Sequence, residues 1–326
     1  MKIFIINLER RKDKLDRIKE RIEKIKNKEE IKIIKAVDGI KINDEYLNNN
    51  NYKIHNKWRD KNHKRPIKLG EIGCSLSHYK IWKRIVEENI EFAIILEDDA
   101  VFSDNYNEKI NEITKSIDFD MLYLGRKVFN KNEEEVNENM VKSNFSYWTI
   151  GYILTNKGAK KLINSHFEKN IIPVDEYLPY MYGKNNIIDY NLINLDNEEE
   201  RLISYALKEN IIYPENNAFQ ESDTEISKVY QNEDCDKILV LSVATYITDC
   251  YKRFIESLEN FNLKYKILGM NNKRYSMESV GGGFKIKLLK EFLEGNEIED
   301  DILIIFTDCF DVIFNDNGDN IIKKYK

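Results

Sequence analysis

The chain has 326 residues, 42% of them hydrophobic and 33% charged, and a net charge of −6. This length accommodates two domains with substantial hydrophobic cores. The negative charge gives no reason to expect nucleic acid or an acidic membrane surface as a partner, and no apolar run is long enough to span a membrane.

The chain begins with a pattern typical of alternating strands and helices. Ile3–Ile6 is predicted to be a strand, and Ile31–Val37 a second one. Between them lies a predicted helix whose apolar face is formed by Leu15, Ile18, Ile22 and Ile25. Residues 41–68 are polar and basic, and we predict a loop that is either a solvated linker or a phosphate-holding segment. A helix follows Gly70, and its apolar side is formed by Ile81, Trp82, Ile85 and Val86.

The most informative stretch is Phe92–Asp99, in which five apolar residues run directly into Glu97, Asp98 and Asp99. A continuous apolar run of this length predicts a strand buried on both faces, as in parallel sheets. Open α/β folds bind ligands at the carboxyl edge of such sheets, where these three carboxyl groups would lie. They form either a solvated strand end or a site that holds Mg²⁺ or Mn²⁺ against the diphosphate of a nucleotide sugar.

The rest of the first unit continues the same alternation. We predict a helix near 105–116, strands at Met121–Leu124 and Tyr147–Leu154, and a helix at Gly158–Ile163. A polar stretch over 215–236 then precedes a second unit. We place the domain boundary near residue 232, which divides the chain into domains 1–232 and 233–326.

The second unit repeats the pattern. Strands are predicted at Ile238–Val243, Tyr265–Leu268 and Ile302–Phe306, with helices at Tyr251–Leu258 and Phe284–Leu293. The last strand again runs into acids, Asp308 and Asp311. Alternating strands and helices predict an α/β fold in which a twisted, mostly parallel sheet lies between helices. A buried strand followed by acids thus occurs in both units. Two such occurrences in one chain are harder to ascribe to chance than one.

The cysteines and the N-terminus bear on the cellular location. Cys74, Cys235, Cys250 and Cys309 show no CxxC or zinc-ligand spacing, which favours ordinary thiols in a reducing compartment. Residues 1–10 have too short an apolar run for a signal peptide and no small-residue cleavage site. We therefore expect a cytoplasmic location, which for a virus would be the cytoplasm of the host cell.

Three motifs of the first unit resemble glycosyltransferase family 25. They are Ile6–Asp13 (INLERRKD), Gly70–His78 (GEIGCSLSH) with Trp82, and Leu96–Asp99 (LEDD). The family includes bacterial lipooligosaccharide galactosyltransferases and animal procollagen galactosyltransferases. Segments that favour the collagen branch are Tyr123–Lys127, Tyr147–Tyr152, Pro173–Pro179 and Ser222–Ser227. The resemblance covers roughly residues 1–231 and implies a GT-A-like fold.

The second unit resembles the glycosyltransferase domain of lysyl hydroxylases. The likeness is carried by Leu239–Thr245, Val280–Lys285 and Thr307–Ile313. It extends to Asp308 and Asp311 and stops before a further metal ligand that the family possesses. We therefore expect a partial, truncated Rossmann-like α/β unit that binds metal and UDP weakly at most.

The resemblance implies that the acids of the first unit play the part of a DxD motif. Asp99 is the first choice for the direct metal ligand and Asp98 the second. Glu97 is expected to face the ribose of the nucleotide sugar or a backbone amide. The expected cofactor is Mn²⁺ or Mg²⁺, since either ion needs one or two carboxylates and leaves room for phosphate oxygens.

Nucleotide-sugar contacts are predicted in both units. Asn7, Arg10 and Arg11 follow the first strand, at the same sheet edge as the acids, and an arginine fork suits a diphosphate. Two adjacent arginines cannot both face the ligand, so we expect one of them there. In the second unit, the expected residues are Thr245 and Lys285 for the nucleotide sugar and Asp308 and Asp311 for a metal ion.

Asp175 and Glu176 are the candidates for the catalytic base. Family members of this kind invert the anomeric centre, which implies in-line attack by an acceptor hydroxyl that needs a carboxylate within hydrogen-bond reach. Both acids lie between prolines in an otherwise apolar segment. Their alternative role is to cap a helix that begins near Tyr177.

Two other sets of residues have competing interpretations. His78 lies one turn before Trp82 on a predicted helix, which favours a buried hydrogen-bonding residue over a ligand. Tyr147 and Trp148 could stack on a sugar or a base, but aromatic residues in a strand usually belong to a core.

These observations favour a metal-dependent, inverting enzyme that transfers galactose from UDP-galactose to hydroxylysine of a collagen-like protein. The alternatives are a UDP-glucose donor, a lipooligosaccharide acceptor, or a non-catalytic nucleotide-sugar-binding module of a larger enzyme. The expected partners are a UDP-sugar and a collagen-like protein, with neither nucleic acid nor a membrane span. The sequence does not indicate an oligomeric state.

Overall fold

A computed structural model describes most of the chain. The described residues are 2–26, 30–55, 58–63, 65–113, 118–129, 132–183, 198–216, 218, 221–230, 237–261, 263–270, 283–300, 302–315 and 318–325.

The chain forms two compact units. The first consists of Met1–Trp58 and Lys68–Lys228, and the second of Arg59–Ile67 and Val229–Lys326. The boundary predicted near residue 232 falls outside the described residues. The division into domains at that point therefore stays a prediction.

Among the described residues, seven strands form the main sheet of the first unit, in the order β2-β1-β3-β7-β5-β8-β6. They are β1 (Lys2–Asn7), β2 (Glu30–Lys35), β3 (Phe92–Glu97), β5 (Met121–Val128), β6 (Met140–Lys142), β7 (Ser146–Thr155) and β8 (Ser204–Leu207). β1 pairs in parallel with β2 and β3, and β5 with β8, whereas β7 is antiparallel to both of its neighbours. A separate two-stranded sheet pairs β4 (Ala100–Phe102) with β9 (Ile212–Pro214).

Helices flank this sheet. They are α1 (Lys12–Glu23), α2 (Asp44–Asn49), α3 (Leu69–Glu87), α4 (Tyr106–Ile113), α5 (Asn156–Asn164) and α6 (Val174–Tyr182). Short 3₁₀ helices span Gly39–Lys41, Phe167–Lys169 and Glu198–Glu200. The predicted α/β class, with a mostly parallel sheet between helices, is confirmed.

The hydrophobic pattern of the sequence explains how these elements pack. Ile18 and Ile22 on the apolar face of α1 lie in one core with Ile3 and Ile5 of β1. Residues 93–96 of β3 expose no surface, as the continuous apolar run predicts. The strand that carries the three acids is therefore fixed on both faces.

Several short elements were not predicted: β4, β6, β8, β9 and α2. The short strands have three or four residues, too few for a readable alternation. Helix α2 lies within the segment predicted as a loop, and the Asn43 side chain caps it by accepting the Tyr46 N–H at 2.8 Å. Helix α6, which was one alternative for the segment around Tyr177, begins at Val174 and contains Pro179.

The direction of β7 decides what lies at the carboxyl edge of the sheet. Leu96 of β3 pairs with Gly151 of β7, so residues 147–149 lie beside the acids that follow Leu96. An antiparallel strand starts where its neighbours end. The first residues of β7 therefore belong to the edge at which ligands bind in open α/β folds.

The second unit is a smaller parallel α/β layer. Its sheet has the order β11-β10-β12, formed by β10 (Ile238–Val243), β11 (Lys264–Leu268) and β12 (Leu303–Phe306). The helices are α7 (Asp249–Asn260), α8 (Gly283–Gly295) and α9 (Gly318–Tyr325), the last of which was not predicted. Phe254 and Leu258 of α7 form the core with Ile238 and Val240 of β10.

None of the helices in the described part of the chain combines the length and the apolar character needed to cross a membrane.

Gly73 allows α3 to approach the chain that follows β2. A Cβ atom at this position would lie 2.5 Å from the carbonyl oxygen of Val37 and 3.1 Å from the backbone nitrogen of Gly39. Both neighbours are backbone atoms, so the loop would have to move to admit a side chain. This loop and the start of α3 line the pocket described below.

We expect Gly73→Ala to lower the free energy of unfolding of the first unit by about 1–2 kcal/mol. Alanine is favoured in a helix interior by about 1 kcal/mol, but overpacking costs about 1–3 kcal/mol and here meets rigid backbone. Trp58, Trp82 and Trp148 all lie in the first unit, so tryptophan fluorescence during thermal unfolding reports on it.

The matched control is Gly295→Ala at the end of α8, where a Cβ would meet nothing within 4 Å. Circular dichroism should show this variant to be neutral or slightly stabilised. A melting temperature for Gly73→Ala at or above that of the wild type would contradict the close approach.

Candidate active site

A pocket opens at the carboxyl ends of β1 and β3. Its empty volume is about 720 Å³, a figure that includes space open to solvent. Its lining comes from these strand ends, the loop after β2, the first turns of α3 and residues between 222 and 227. Glu97, Asp98 and Asp99 lie together in this lining, with Arg10.

Asp98 is held by two side chains from the first strand and helix. Ile6 pairs with Glu97 across the parallel strands, so Asn7 comes next to the acids. The Asn7 amide donates to Asp98 Oδ2 at 2.7 Å, and Lys14 Nζ lies 3.5 Å from Oδ1. Burial raises the pKa of Asp98, while Lys14 and Asn7 oppose the rise. Both oxygens of this carboxyl group are therefore engaged and oriented.

Asp99 lacks such partners. Its Oδ1 atom is buried and has no hydrogen-bond partner among the described residues. Burial, followed by the charge of Glu97, raises the pKa of Asp99 to about 7. A buried carboxylate oxygen without a partner is costly, and a cation is the usual compensation. Carboxylate oxygens are also the donors that Mg²⁺ and Mn²⁺ prefer.

Glu97 is oriented by a buried chain of side chains. Trp82 Nε1 donates to the Tyr152 hydroxyl at 2.9 Å, and that hydroxyl lies 2.9 Å from His78 Nδ1. An indole N–H can only donate, so the Tyr152 hydroxyl accepts from Trp82, while the direction of its hydrogen bond with His78 Nδ1 depends on the tautomer of the ring. Nε2 lies 3.5 Å from Glu97 Oε1, which also accepts from Thr149 Oγ1 at 2.5 Å.

These contacts set the charge of Glu97. Burial alone would raise its pKa, but His78 and Thr149 outweigh that effect and hold the pKa below its usual value. Glu97 therefore stays ionised next to Asp99, whose pKa is raised. His78 acts as a buried hydrogen-bonding residue, in agreement with the interpretation of the sequence.

Arg10 and Arg11 bind the same carboxylate. Arg10 Nη1 donates to Asp223 Oδ1 at 2.5 Å, and Arg11 Nη1 donates to Oδ2 at 2.6 Å. Arg10 Nε also donates to Asp38 at 3.0 Å, whereas Arg11 forms a bidentate contact with Asp13 at 2.9 and 2.8 Å. Of the two arginines, Arg10 is the one that lines the pocket. This favours Arg10 for the nucleotide contact, which stays a prediction.

Asp175 and Glu176 lie in the first turn of α6 but have different surroundings. Glu176 is 5% exposed and accepts from Trp58 Nε1 at 2.7 Å and from the Tyr147 hydroxyl at 3.3 Å. Asp175 is half-buried, and burial, followed by the charges of Glu176, Glu71 and others, raises its pKa to about 8. Glu176 is thus held by hydrogen bonds to Trp58 and Tyr147. The raised pKa of Asp175 suits a general base.

Asp175 is electrostatically coupled to the acid cluster, because Glu97 contributes to the rise in its pKa. Neither Asp175 nor Glu176 is among the described residues that line the pocket.

In the second unit, Thr245, Asp308 and Asp311 follow strands, whereas Lys285 lies in the first turn of α8. Lys285 Nζ forms an ion pair with Asp308 Oδ2, which lowers the pKa of Asp308. Asp308 Oδ1 accepts the backbone N–H of Phe310 at 3.1 Å. Thr245 is half-buried after β10, and Asp311 is exposed after β12. Gly281 and Gly282, which precede α8, lie outside the described residues.

Comparison with protein families decides the identity of the first unit. The family model described as glycosyltransferase family 25 (LPS biosynthesis protein) matches residues 1–178, more than half of the chain. The chain belongs to glycosyltransferase family 25. A second model, described as the PLOD GT domain, matches residues 234–326. Both resemblances inferred from the motifs are confirmed.

Curated relatives of this family 25 chain carry names that refer to collagen. Procollagen galactosyltransferase 2 of Homo sapiens is 35% identical over 243 residues, which cover 71% of this chain and 38% of the human protein. The procollagen lysyl hydroxylase and glycosyltransferase of Acanthamoeba polyphaga mimivirus is 36% identical over 284 residues, 81% of this chain and 31% of that protein. Procollagen galactosyltransferase 1 of Danio rerio is 34% identical over 246 residues, which cover 71% of this chain and 39% of the zebrafish protein. The chain thus spans less than two fifths of the length of these relatives.

Three residues of the site were not identified from the sequence of this family 25 member. Lys14 lies four residues before Ile18 on the apolar face of α1, and a lysine in that position was a readable signal. Asp223 lies in a motif used for the family resemblance, but its arginine partners are more than 200 residues away. Thr149 carries no signal, because its contact with Glu97 depends on the direction of β7.

We expect Lys14→Met to lower the free energy of unfolding by about 1–3 kcal/mol, because the buried Asp98 carboxylate loses its cation. Asp98→Asn in the Lys14→Met background should recover part of that loss, since the uncompensated charge is then absent. Urea unfolding followed by tryptophan fluorescence measures both effects.

Lys12→Met is the control, because Lys12 is exposed on the same helix and should be replaceable at little cost. Strictly additive effects of the Lys14 and Asp98 substitutions would mean that the two side chains are not coupled.

Proposed function

We propose that the first unit transfers galactose from UDP-galactose to hydroxylysine of a collagen-like protein, with inversion at the anomeric carbon. Membership of glycosyltransferase family 25 and the names of the relatives support this proposal. The observation that carries it is the buried Asp99 Oδ1, which has no partner among the described residues and lies in one pocket with Glu97, Asp98 and Arg10.

Asp99 would be the direct ligand of the divalent cation, with Asp98 as the second choice beside it. Asp99 Oδ1 is an open donor, and Asp98 is kept in place by Asn7 and Lys14. When bound, Mn²⁺ or Mg²⁺ supplies positive charge that stabilises the diphosphate as the leaving group. Lys14 adds a second positive charge on the same side of the pocket.

Arg10 would contact the diphosphate. Its Nε is engaged with Asp38, while a terminal nitrogen donates to Asp223. Phosphate oxygens present the same acceptor geometry as a carboxylate, so they can replace Asp223 at that nitrogen. The contact with Asp38 would keep the guanidinium in place during the exchange.

Asp175 would act as the general base. The hydroxylysine hydroxyl oxygen attacks the anomeric carbon from the face opposite UDP and forms the new C–O bond. The bond from that carbon to the phosphate oxygen breaks, and its electron pair leaves with UDP. The hydroxyl proton passes to the carboxylate of Asp175, while Glu176 holds the turn through Trp58 and Tyr147.

For the second unit, we propose nucleotide-sugar binding without catalysis. The match to the PLOD GT domain supports a nucleotide-sugar fold. The ion pair between Lys285 and Asp308 supports weak metal binding, because the ammonium group already neutralises a predicted ligand. The alternative donor for the chain is UDP-glucose. The assay below tests it by comparing UDP-glucose with UDP-galactose.

We expect Asp99→Asn to reduce UDP release in the presence of Mn²⁺ by about 10²–10³-fold, the scale seen when charge stabilisation is removed from a transition state. The assay compares UDP-galactose with UDP-glucose, and a hydroxylysine peptide with a lipooligosaccharide acceptor. Asp104→Asn, at an exposed acid, is the control.

Activity of Asp99→Asn close to that of the wild type would refute the proposed metal site. Absence of UDP release by the wild type with every acceptor would favour a binding module over an enzyme. UDP binding that persists in Asp99→Asn, measured by calorimetry on the full chain, would be assigned to the second unit and should be weak.

We expect kcat/KM for a small hydroxylysine acceptor to rise with pH up to about 8, because a base acts in its deprotonated form and the pKa of Asp175 is raised to about 8. A bound cation would lower this pKa, so about 8 is an upper limit. Asp175→Asn should lose about 10²–10⁴-fold in rate, together with the rise in activity with pH.

Glu176→Gln is the matched comparison. It should reduce stability through its contacts with Trp58 and Tyr147 and keep the rise in activity with pH, shifted to lower pH because the charge of Glu176 helps to raise the pKa of Asp175. The assignment of the base fails if both variants turn over near the wild-type rate while Asp99→Asn is inactive.

A further inference from the structure

A bulge in β7 changes the course of the chain next to the acid cluster. The register shifts between β5 and β7 place three residues, 148–150, opposite one residue of β5. Trp148 lies in this bulge with a φ angle of +75°, a conformation that bulky residues rarely adopt. Its side chain is nevertheless 39% exposed. Strained backbone of this kind clusters at ligand-binding sites. The exposed Trp148 ring is therefore a candidate for contact with a ligand.

Trp148 belongs to a group of aromatic side chains that we name the aromatic platform: Phe129, Phe145, Tyr147 and Trp148. The ring of Tyr147 lies 5.1 Å from those of Phe129 and Phe145, at interplanar angles of 79° and 83°. Lys127 Nζ lies 5.8 Å from the centre of the Phe129 ring and 5.9 Å from that of Trp148. Phe129 is 58% exposed. The platform thus presents both ring faces and ring edges, with one cation among them.

The platform adjoins the candidate acids through its own strand. The Tyr147 hydroxyl donates to Glu176 Oε1 at 3.3 Å, in the first turn of α6. Thr149, which follows Trp148, donates to Glu97 Oε1 at 2.5 Å. A molecule on the platform therefore lies close to Glu97 of the acid cluster and to Glu176, the neighbour in sequence of the proposed base Asp175.

We infer that the aromatic platform binds the acceptor polypeptide as an extended, proline-rich segment of the collagen type. The inference rests on the proposed function, which requires such an acceptor next to the acids. A polyproline II segment has no internal hydrogen bonds and presents proline rings at regular intervals. Proteins bind such segments in grooves lined by aromatic side chains. The Lys127 ammonium group can donate to the free carbonyl oxygens of the peptide.

The ring geometry favours a peptide over a sugar. A sugar ring stacks on one open aromatic face, whereas Phe129 and Phe145 each meet Tyr147 edge to face. At a separation of 5.1 Å these rings are in contact and form one surface of ring faces and edges, against which proline rings can pack. An oligosaccharide acceptor is the competing occupant, and the experiment distinguishes the two.

Two variants remove parts of the platform and leave the acids in place. Trp148→Gly removes the ring and accommodates the positive φ angle, and Phe129→Ala shortens an exposed side chain, so both should fold. Tyr325→Ala is the matched control, because this ring is 76% exposed on α9 of the second unit. The probe is a short, labelled single-chain peptide of Gly-Pro-hydroxyproline triplets with one hydroxylysine, followed by fluorescence anisotropy.

We expect the Kd of the full chain for this peptide to rise about 10-fold or more in Trp148→Gly and Phe129→Ala and to stay unchanged in Tyr325→Ala. A Gly-Ser peptide with one hydroxylysine should bind the wild type weakly. UDP affinity, measured by calorimetry, should be equal in all four proteins. In the transfer assay, KM for the peptide should rise while kcat stays nearly constant.

The outcomes separate this inference from the proposed transfer reaction. Peptide affinities equal to that of the wild type in both platform variants would overturn the inference, even in a chain that transfers galactose. Peptide binding that falls in both variants would support it, even if no acceptor promotes UDP release and the proposed reaction fails. Binding of an oligosaccharide instead of the peptide, lost in the same variants, would overturn the assignment of a peptide.

Discussion

Three adjacent carboxyl groups at the end of a fully buried strand are the constraint on which the first unit depends. Each of them is partly removed from water and needs a compensating donor or cation. Asp98 contacts Asn7 of the first strand and Lys14 of the first helix. Glu97 contacts His78 of α3 and Thr149 of β7. Asp99 Oδ1 has no partner among the described residues. The fold thus compensates two carboxylates and leaves one oxygen for a ligand that carries positive charge.

The antiparallel strand β7 connects this acid cluster to the rest of the site. In a purely parallel sheet, the start of every strand would lie at the opposite edge from the acids. Because β7 runs the other way, its first residues bring Thr149 to Glu97 and Tyr147 to Glu176. The bulge between these contacts exposes Trp148. One strand therefore connects the pocket that holds the three acids, the turn that carries the proposed base and the aromatic platform.

The second unit repeats the acid-ended strand but compensates it differently. Lys285, from the helix that follows the glycine-rich segment, neutralises Asp308 directly. A carboxylate that already has an ammonium partner gains less from a metal ion than one without a partner. The two units thus share a fold class and a strand that ends in acids. Among the described residues, only the first unit has a buried carboxylate oxygen without a hydrogen-bond partner.

The sequence by itself determined the α/β class, the buried strand of 92–96 and the presence of acids at its end, because apolar runs and helical periodicity are local. It also determined the family, because several separate motifs agree. Only the tertiary structure decided the direction of β7, the choice of Arg10 over Arg11 in the pocket lining, and the difference between Asp175 and Glu176. Each of these depends on partners far away in the chain, as in the contact between Glu176 and Trp58, and local patterns carry no information about such long-range contacts.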